Sequence, residues 1–368
     1  MVPIFKVVSA ILKEKKGVTM RSLLTIVLIG MIILSIPSCQ NEENSTASVQ
    51  CDRRCLEGFV NQYLEAMVAH DTSMAPFADN VRFTENAKDI HPKESPEGLW
   101  ADVTALTDYK LYVADPQAGQ IAFVGVVETL IQETRGEETV EVERPLILSM
   151  RLKIENERIT ESESIVTQSM MGGNMGGAMT VPPAAYSEAL PTEEQVSREE
   201  LIKISNLYFD SIEQSNGKIV PWHEECYRLE NGMWTAGPKL PEEMAVHMQE
   251  PPAPKPGPGG EASPAFARGA CTEAIDSGVF ALIESIQPRR IPVVDEERGV
   301  TWGVYMFNHP GVETITMPDG STQPAAYFVG QPNSMPMSEL FKIKNGKIRD
   351  IMAIGVVNEY GSDSGWEQ

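Results

Sequence analysis

The chain has 368 residues, and 52 Asp and Glu against 30 Lys and Arg give it a formal net charge of −22. A surface that acidic repels nucleic acid and anionic lipid, so those partners are excluded at the outset. The length exceeds one ordinary domain and leaves room for two cores.

The first segment reads as an address. Lys13, Lys15, Lys16 and Arg21 precede an uncharged apolar run from Leu23 to Ile36, which is the pattern of a secretory signal over residues 1–38, with Met20 as an alternative start. The run ends in "IPSC", which resembles a bacterial lipobox, so Cys39 is expected to become the lipidated first residue. A membrane-spanning helix is the competing reading, but roughly 15 apolar residues are short for a span. Removing residues 1–38 takes away five Lys/Arg and one Glu and leaves a mature charge of −26. Residues 39–50 form a polar tether. The expected location is the cell envelope, periplasmic or outer-membrane, with membrane contact only through lipid.

Four further cysteines lie in a compartment that permits disulfides. Cys226 and Cys271 sit in separate elements, and a single bridge between them is expected. Cys51 and Cys55 lie one helical turn apart, a poor geometry for a bridge. They also lack the His or Cys partners that a zinc clip needs.

Next in the chain, "CLEGFVNQYLEAMVAH" puts Leu56, Phe59, Val60, Tyr63, Leu64 and Met67 on one helical face. "ELIKISNLYFDSIEQ" repeats this with Leu201, Ile204, Tyr208 and Ile212. At an offset of 145 the stretch Leu56–Asn86 runs without a gap against Leu201–Asn231, so "PFADNVRFTEN" returns as "PWHEECYRLEN". Offsets of 180 and 189 relate two later hairpins, with Asp115 over Asp295 and Asn156 over Asn345 at their turns. This is an internal repeat. Each copy reads helix, short helical turn, strand, helix, then four strands in two hairpins. The copies span 51–167 and 197–358 and are expected to pack on each other. Between them, 168–196 is a linker rich in Gly, Met and Pro; its Met170, Met171, Met175 and Met179 invite a soft-metal reading, but a hinge explains them without one. Residues 232–270 read as an insertion in the second copy and 359–368 as a tail.

The order of elements, and above all "YLEAMVAHDTSMAPFADNVRFTEN", resembles the nuclear transport factor 2-like superfamily, which includes SnoaL-like cyclases and ketosteroid isomerases. The resemblance covers 52–167 and 197–357. It implies an α+β chain of two tandem cone-shaped domains, each a curved, mostly antiparallel sheet wrapped by about three helices. It specifies function far less, because such cones host isomerases, dehydratases, cyclases and binding modules.

In the first strand, alternation sets Val81, Phe83 and Glu85 on one side, so a carboxylate follows two apolar residues. Such surroundings raise a carboxyl pKa and suit it to proton transfer. Carried over from the resemblance, the isomerases' general base falls on Glu85 and Glu230, and the oxyanion-holding Tyr on Tyr63 and Tyr208. The second oxyanion donor, a protonated acid, falls near Ser149 and near Glu339. Only the second copy keeps all three types, so Tyr208, Glu230 and Glu339 are its expected catalytic set. Arg228, Asn231, Trp302, His309, Tyr63 and Glu85 are the expected binding positions. Arg228 shares a face with Glu230, which leaves open a buried salt bridge instead of a base. A core role for the tyrosines and a strand-end cap for the two glutamates also stay open. No GxSxG, HExxH, GxGxxG or Walker loop occurs. The expectation is therefore a small organic ligand, no cofactor and no metal, with an isomerase or lyase reaction by proton abstraction beside a carbonyl, or a noncatalytic binding module.

Overall fold

The computed structural model describes residues 51–168, 179–245, 269–317, 319–325 and 327–366. The signal, Cys39, the whole tether, the methionines at 170, 171 and 175, and most of the expected insertion lie outside them.

The first helix, α1 (Arg53–Val68), starts where Asp52 accepts a hydrogen bond from the Cys55 amide at 2.9 Å, and it buries Leu56, Val60, Tyr63, Leu64 and Met67. Strands β1 (Phe77–Glu85) and β2 (Lys88–Ile90), the one-turn helix α2 (Leu99–Asp102), and strands β3 (Val103–Asp115), β4 (Gln120–Arg135), β5 (Glu138–Glu155) and β6 (Arg158–Thr167) follow. They form one sheet of order β2-β1-β6-β5-β4-β3, antiparallel except where β1 lies parallel to β6.

The second half repeats the plan. Helix α3 (Arg198–Glu213) leads into β7 (Trp222–Glu230), β8 (Met233–Ala236), the short helices α4 (Glu242–Ala245) and α5 (Cys271–Asp276), β9 (Ser285–Asp295) and β10 (Val300–His309). A small hairpin of β11 (Thr314–Thr316) and β12 (Thr322–Pro324) comes next, then β13 (Asn333–Lys344), β14 (Lys347–Gly355) and β15 (Asn358–Glu359). The sheet order is β8-β7-β14-β13-β10-β9, with β15 beside β13 and β7 parallel to β14. This is an α+β architecture of mixed sheets and few helices, consistent with the expected cones. Strand β8 falls inside the stretch read as an insertion. Its turn is Asn231-Gly232, both at positive φ (43° and 77°), the pairing that a two-residue hairpin favours.

Each sheet has two buried faces. The inner face of the first packs α1 and α2 into a core with Phe83, Met150 and Leu152, and the inner face of the second packs α3 and α5 with Tyr305, Phe341 and Ile351. The outer faces meet each other through Leu111, Val124 and Ile147 from one sheet and Val293, Trp302 and Leu340 from the other. In that layer the Ser149 and Ser338 hydroxyls lie 2.8 Å apart and Trp302 Nε1 donates to Ser149 Oγ at 3.0 Å. Two crossed ion pairs flank it: Arg53 at the start of α1 grips Asp295 at 2.5 Å, and Arg198 at the start of α3 grips Asp115 at 2.6 Å. Arg53 is the repeat equivalent of Arg198, and Asp115 that of Asp295.

Cys226 and Cys271 are bonded as expected, with Cα atoms 6.1 Å apart. Cys51 and Cys55 are bonded as well, at 5.3 Å, which corrects the expectation of a single bridge. The helix begins at Arg53, so Cys51 is extended chain outside it and can turn back onto Cys55. Among the described residues no helix is long and apolar enough to cross a membrane, and no cluster of His, Cys, Asp or Glu could hold a metal ion.

Candidate functional site

The inner face of the second sheet encloses a cavity of about 480 Å³. Strand β7 supplies Arg228 and Glu230, β10 supplies Phe307 and His309, and β13 supplies Met335 and Met337. These are the alternate, inward-facing residues of their strands. Phe280 and Ile283, in the segment between α5 and β9, form a second wall, and Tyr327 and Phe328 close over His309, whose ring centre lies 4.9 Å from that of Phe328.

Arg228 organises the polar end. Only 4% exposed, it donates from Nη1 to Glu230 Oε2 at 2.5 Å and to Thr235 Oγ1 at 2.9 Å, and from Nε to the Tyr208 hydroxyl at 2.9 Å. Its guanidinium also sits 5.7 Å from the Phe280 ring centre, within cation–π range. Behind it lies Glu339, fully buried, with neither carboxyl oxygen hydrogen-bonded; burial pushes its pKa up to about 8 despite Arg228, so it is protonated at neutral pH. His309 is 3% exposed and lies opposite Asn333 on β13; burial pushes its pKa down to about 4 against a hydrogen bond with Asn333, leaving a neutral ring.

Of the expected positions, Arg228, Glu230, Asn231 and His309 line the cavity. Tyr208 and Glu339 do not: Arg228 lies between them and the cavity, hydrogen-bonded to the Tyr208 hydroxyl. Asn231 uses its amide on the sheet, donating to the Gly355 carbonyl at 3.0 Å and accepting from the Gly355 amide at 2.9 Å, which ties the end of β7 to β14. Trp302 faces the opposite sheet, because alternation along β10 turns Gly303, Tyr305, Phe307 and His309 inward and Trp302 outward. Tyr63 and Glu85 line no cavity described here. Tyr63 accepts from Trp100 Nε1 at 3.1 Å and Ser162 Oγ at 3.0 Å inside an aromatic cluster with Phe77 and Phe83, and burial raises its hydroxyl to about 12. Glu85 accepts from the Leu99 amide at 2.9 Å and so caps α2; burial raises its carboxyl to about 7. Ser149 is the counterpart of Ser338, not of Glu339. The register Phe123↔Met150 and Gly303↔Glu339 makes Met150 the residue in the acid's place.

Sequence reasoning missed the walls. Phe280 had a signal, since the offset of 180 lays it on Trp100; Tyr327 and Phe328 had none, because the first half has no counterpart of their loop.

A family model described as a domain of unknown function (DUF8021) matches residues 194–355, the half that holds the cavity. No protein of curated function matches the chain. Similar solved structures include a putative polyketide cyclase from Xanthomonas campestris, 17% identical, covering 31% of this chain and 90% of its own, TM-score 0.27. Another is a putative SnoaL-like polyketide cyclase from Shewanella denitrificans, 12% identical, covering 31% and 91%, TM-score 0.23. A third, from Catenulispora acidiphila, has a ketosteroid isomerase-like fold and was solved with trimethylamine; it is 16% identical, covers 34% and 93%, and scores 0.24. Each covers about one third of this chain, and likeness at this level carries no weight on chemistry.

Proposed function

We propose that the chain is a lipid-anchored envelope protein of two cone domains, 51–167 and 197–358, and that the second binds a small organic molecule. Cys39 after "IPS" motivates the anchor, and a Cys39→Ala protein is expected to leave the membrane fraction. The observation that carries the binding reading is the cavity of about 480 Å³, apolar along most of its wall and with one buried guanidinium–carboxylate pair at its polar end. Volumes of roughly 300 to 1,000 Å³ with few, convergent polar groups are what small-molecule sites use. Arg228 is the donor for a carbonyl oxygen. The test is a thermal-shift screen of uncharged ketones against the wild type and Val356→Trp, which fills the rim. Ligands should raise the wild-type melting temperature and leave the variant's unchanged; no ketone stabilising the wild type ends the binding reading.

Glu230 at the cavity wall favours a catalytic second reading. Its free oxygen takes a proton from the carbon next to the bound carbonyl, the C–H electron pair moves into a new C=C bond, and the oxygen becomes an enolate beside Arg228. In a β,γ-unsaturated ketone, the enolate electrons return through the C=C, the double bond moves into conjugation and the γ carbon takes the proton from Glu230, which completes an isomerisation. Deuterium exchange at that carbon, followed by NMR in D₂O, should be lowered about 10²-fold in Glu230→Gln. Should Glu230→Gln melt early yet exchange at the wild-type rate, Glu230 is only the salt-bridge partner of Arg228.

A further inference from the structure

The mouth of the cavity is made by both halves. Val356 and Val357, just past the end of β14, line it, and so do Thr167 and Gln168 at the end of β6. The offset of 189 makes these two pairs repeat equivalents, so the same strand end of each copy contributes. After Val357 the chain meets its own sheet through the two-residue strand β15, paired as Asn333↔Glu359 and Ser334↔Asn358, and then crosses to the first half. Asn358 Nδ2 donates to the Asn86 carbonyl at 2.9 Å, at the β1–β2 turn. Gly365 passes the same turn at a φ of 78°, so close that a Cβ there would stand 3.0 Å from the Ala87 carbonyl oxygen.

Trp366 ends this path in a seat built for it. Its Nε1 donates at 2.9 Å to Thr84 Oγ1, a hydroxyl on a residue only 1% exposed, and Arg82 donates to the Gly365 carbonyl beside it. The guanidiniums of Arg82, Arg151 and Arg290 lie 4.5, 4.9 and 5.9 Å from the indole ring, all within cation–π range. Arg82 and Arg151 belong to the first sheet and Arg290 to the second, and Glu163 on β6 pairs with both Arg151, at 3.1 Å, and Arg290. The indole is thus held where the two halves meet.

We propose that residues 358–366 are a strap and that Trp366 is a positioning residue for the cavity mouth. With the indole seated, Val356 and Val357 are held beside Thr167 and Gln168; with it released, the mouth widens. The seat leaves Trp366 partly open to solvent, and its contacts are modest one by one, so the strap can leave while both cores stay folded. This control of access rests on the binding reading above for what enters the cavity. It also gives the plugged first half a task, as the fixed point to which the strap is tied.

Two measurements on the mature chain, with both disulfides intact, test the strap without any ligand. Hydrogen exchange followed by mass spectrometry should show the amides of 356–361 exchanging about tenfold faster in Trp366→Ala, and less so in Trp366→Phe, which keeps a ring but loses the Nε1 donor; β10 and the body of β13 should be unchanged. Met335→Cys places a thiol on the cavity wall, and iodoacetamide should label position 335 about tenfold faster when Trp366→Ala is added. Unchanged exchange at 356–361 overturns the strap. Faster exchange there with an unchanged labelling rate overturns its control of the mouth. Equal acceleration across β10 and β13 makes Trp366 a general stabiliser and overturns both. Each of these failures leaves the ketone screen unaffected, and a failed screen leaves both readouts in force.

Discussion

The two halves share a backbone plan and differ in what fills it. In the first, Tyr63, Phe77, Phe83 and Trp100 pack edge to face with ring centres 5.0 to 6.3 Å apart, and the cone is plugged. In the second, the equivalents are Tyr208, Trp222, Arg228 and Phe280, and the cone holds a cavity. The largest change is Phe83 to Arg228, followed by Met150 to Glu339 on the facing strand. An aromatic ring closes the space with its own volume, whereas a guanidinium held by Tyr208, Glu230 and Thr235 is drawn to the wall and leaves the middle open. Whether a half is plugged or holds a cavity thus turns on a few inward positions, without a change of topology.

Exchanging those positions is the strongest way to break the comparison. Phe83→Arg inserts a cation among rings where Glu85 is already engaged by the Leu99 amide, and should cost about 5 kcal/mol, seen as the steepest fall in melting temperature of any variant here. Trp100→Ala in the same chain opens space and should recover part of it. Arg228→Leu strands Glu230 and should cost about 3 to 5 kcal/mol, with ligand binding lost. If Phe83→Arg costs under about 1 kcal/mol, the plug is not what distinguishes the halves.

The disulfides sharpen the contrast at a smaller scale. The Cys226–Cys271 bridge closes a separation of 45 residues and pins α5, from which the Phe280–Ile283 wall continues, whereas Cys51–Cys55 closes only 4. Loop-closure entropy puts the first at about 4 kcal/mol and the second at about 2 kcal/mol. Denaturant melts of the Cys226→Ser/Cys271→Ser and Cys51→Ser/Cys55→Ser chains measure both, and only the first pair should also weaken ketone binding.

Proton linkage marks each half by its own pH window. Burial lifts Glu85 to about 7 and Glu339 to about 8, from ordinary values near 4.5. The folded state therefore holds these protons more tightly than the unfolded chain. The stability they contribute is complete below about pH 4.5 and is lost as pH rises through about 7 for Glu85 and about 8 for Glu339. Glu85→Gln and Glu339→Gln cannot ionise, so each should match the wild type at pH 4 and exceed it at pH 8.5, by about 3 kcal/mol for Glu85→Gln and about 4 to 5 kcal/mol for Glu339→Gln. Melts across that range check the sign, and a variant less stable than the wild type at pH 8.5 contradicts it.

Much of this was legible in the sequence because the first helix and the first strand have the same lengths in both copies, 16 and 9 residues, so Tyr63 over Tyr208 and Glu85 over Glu230 align without a gap. The cavity-lining Arg228 and His309 were legible from alternation and position. Ser149 was not: on a strand a slip of one residue changes the face, and the true counterpart of Glu339 is its neighbour Met150. Trp302 failed for a related reason, since a strand buried on both faces shows no polar alternation to say which way its aromatic points. The Cys51–Cys55 bridge turned on where a helix begins, which is the least certain boundary to read. The Tyr327–Phe328 wall belongs to a loop without a repeat partner, and no local pattern places such a loop over a cavity.

The crossed pairs of Arg53 with Asp295 and Arg198 with Asp115 bear on how such a molecule can diverge. Each copy contributes one cation and one anion to the other, so a charge reversal at Asp115 is mended only by a change at Arg198, in the opposite copy. The faces turned toward each other are bound to drift together, as partners do. The faces turned away have no such obligation, and there one copy could harden into a support while the other kept an opening for chemistry.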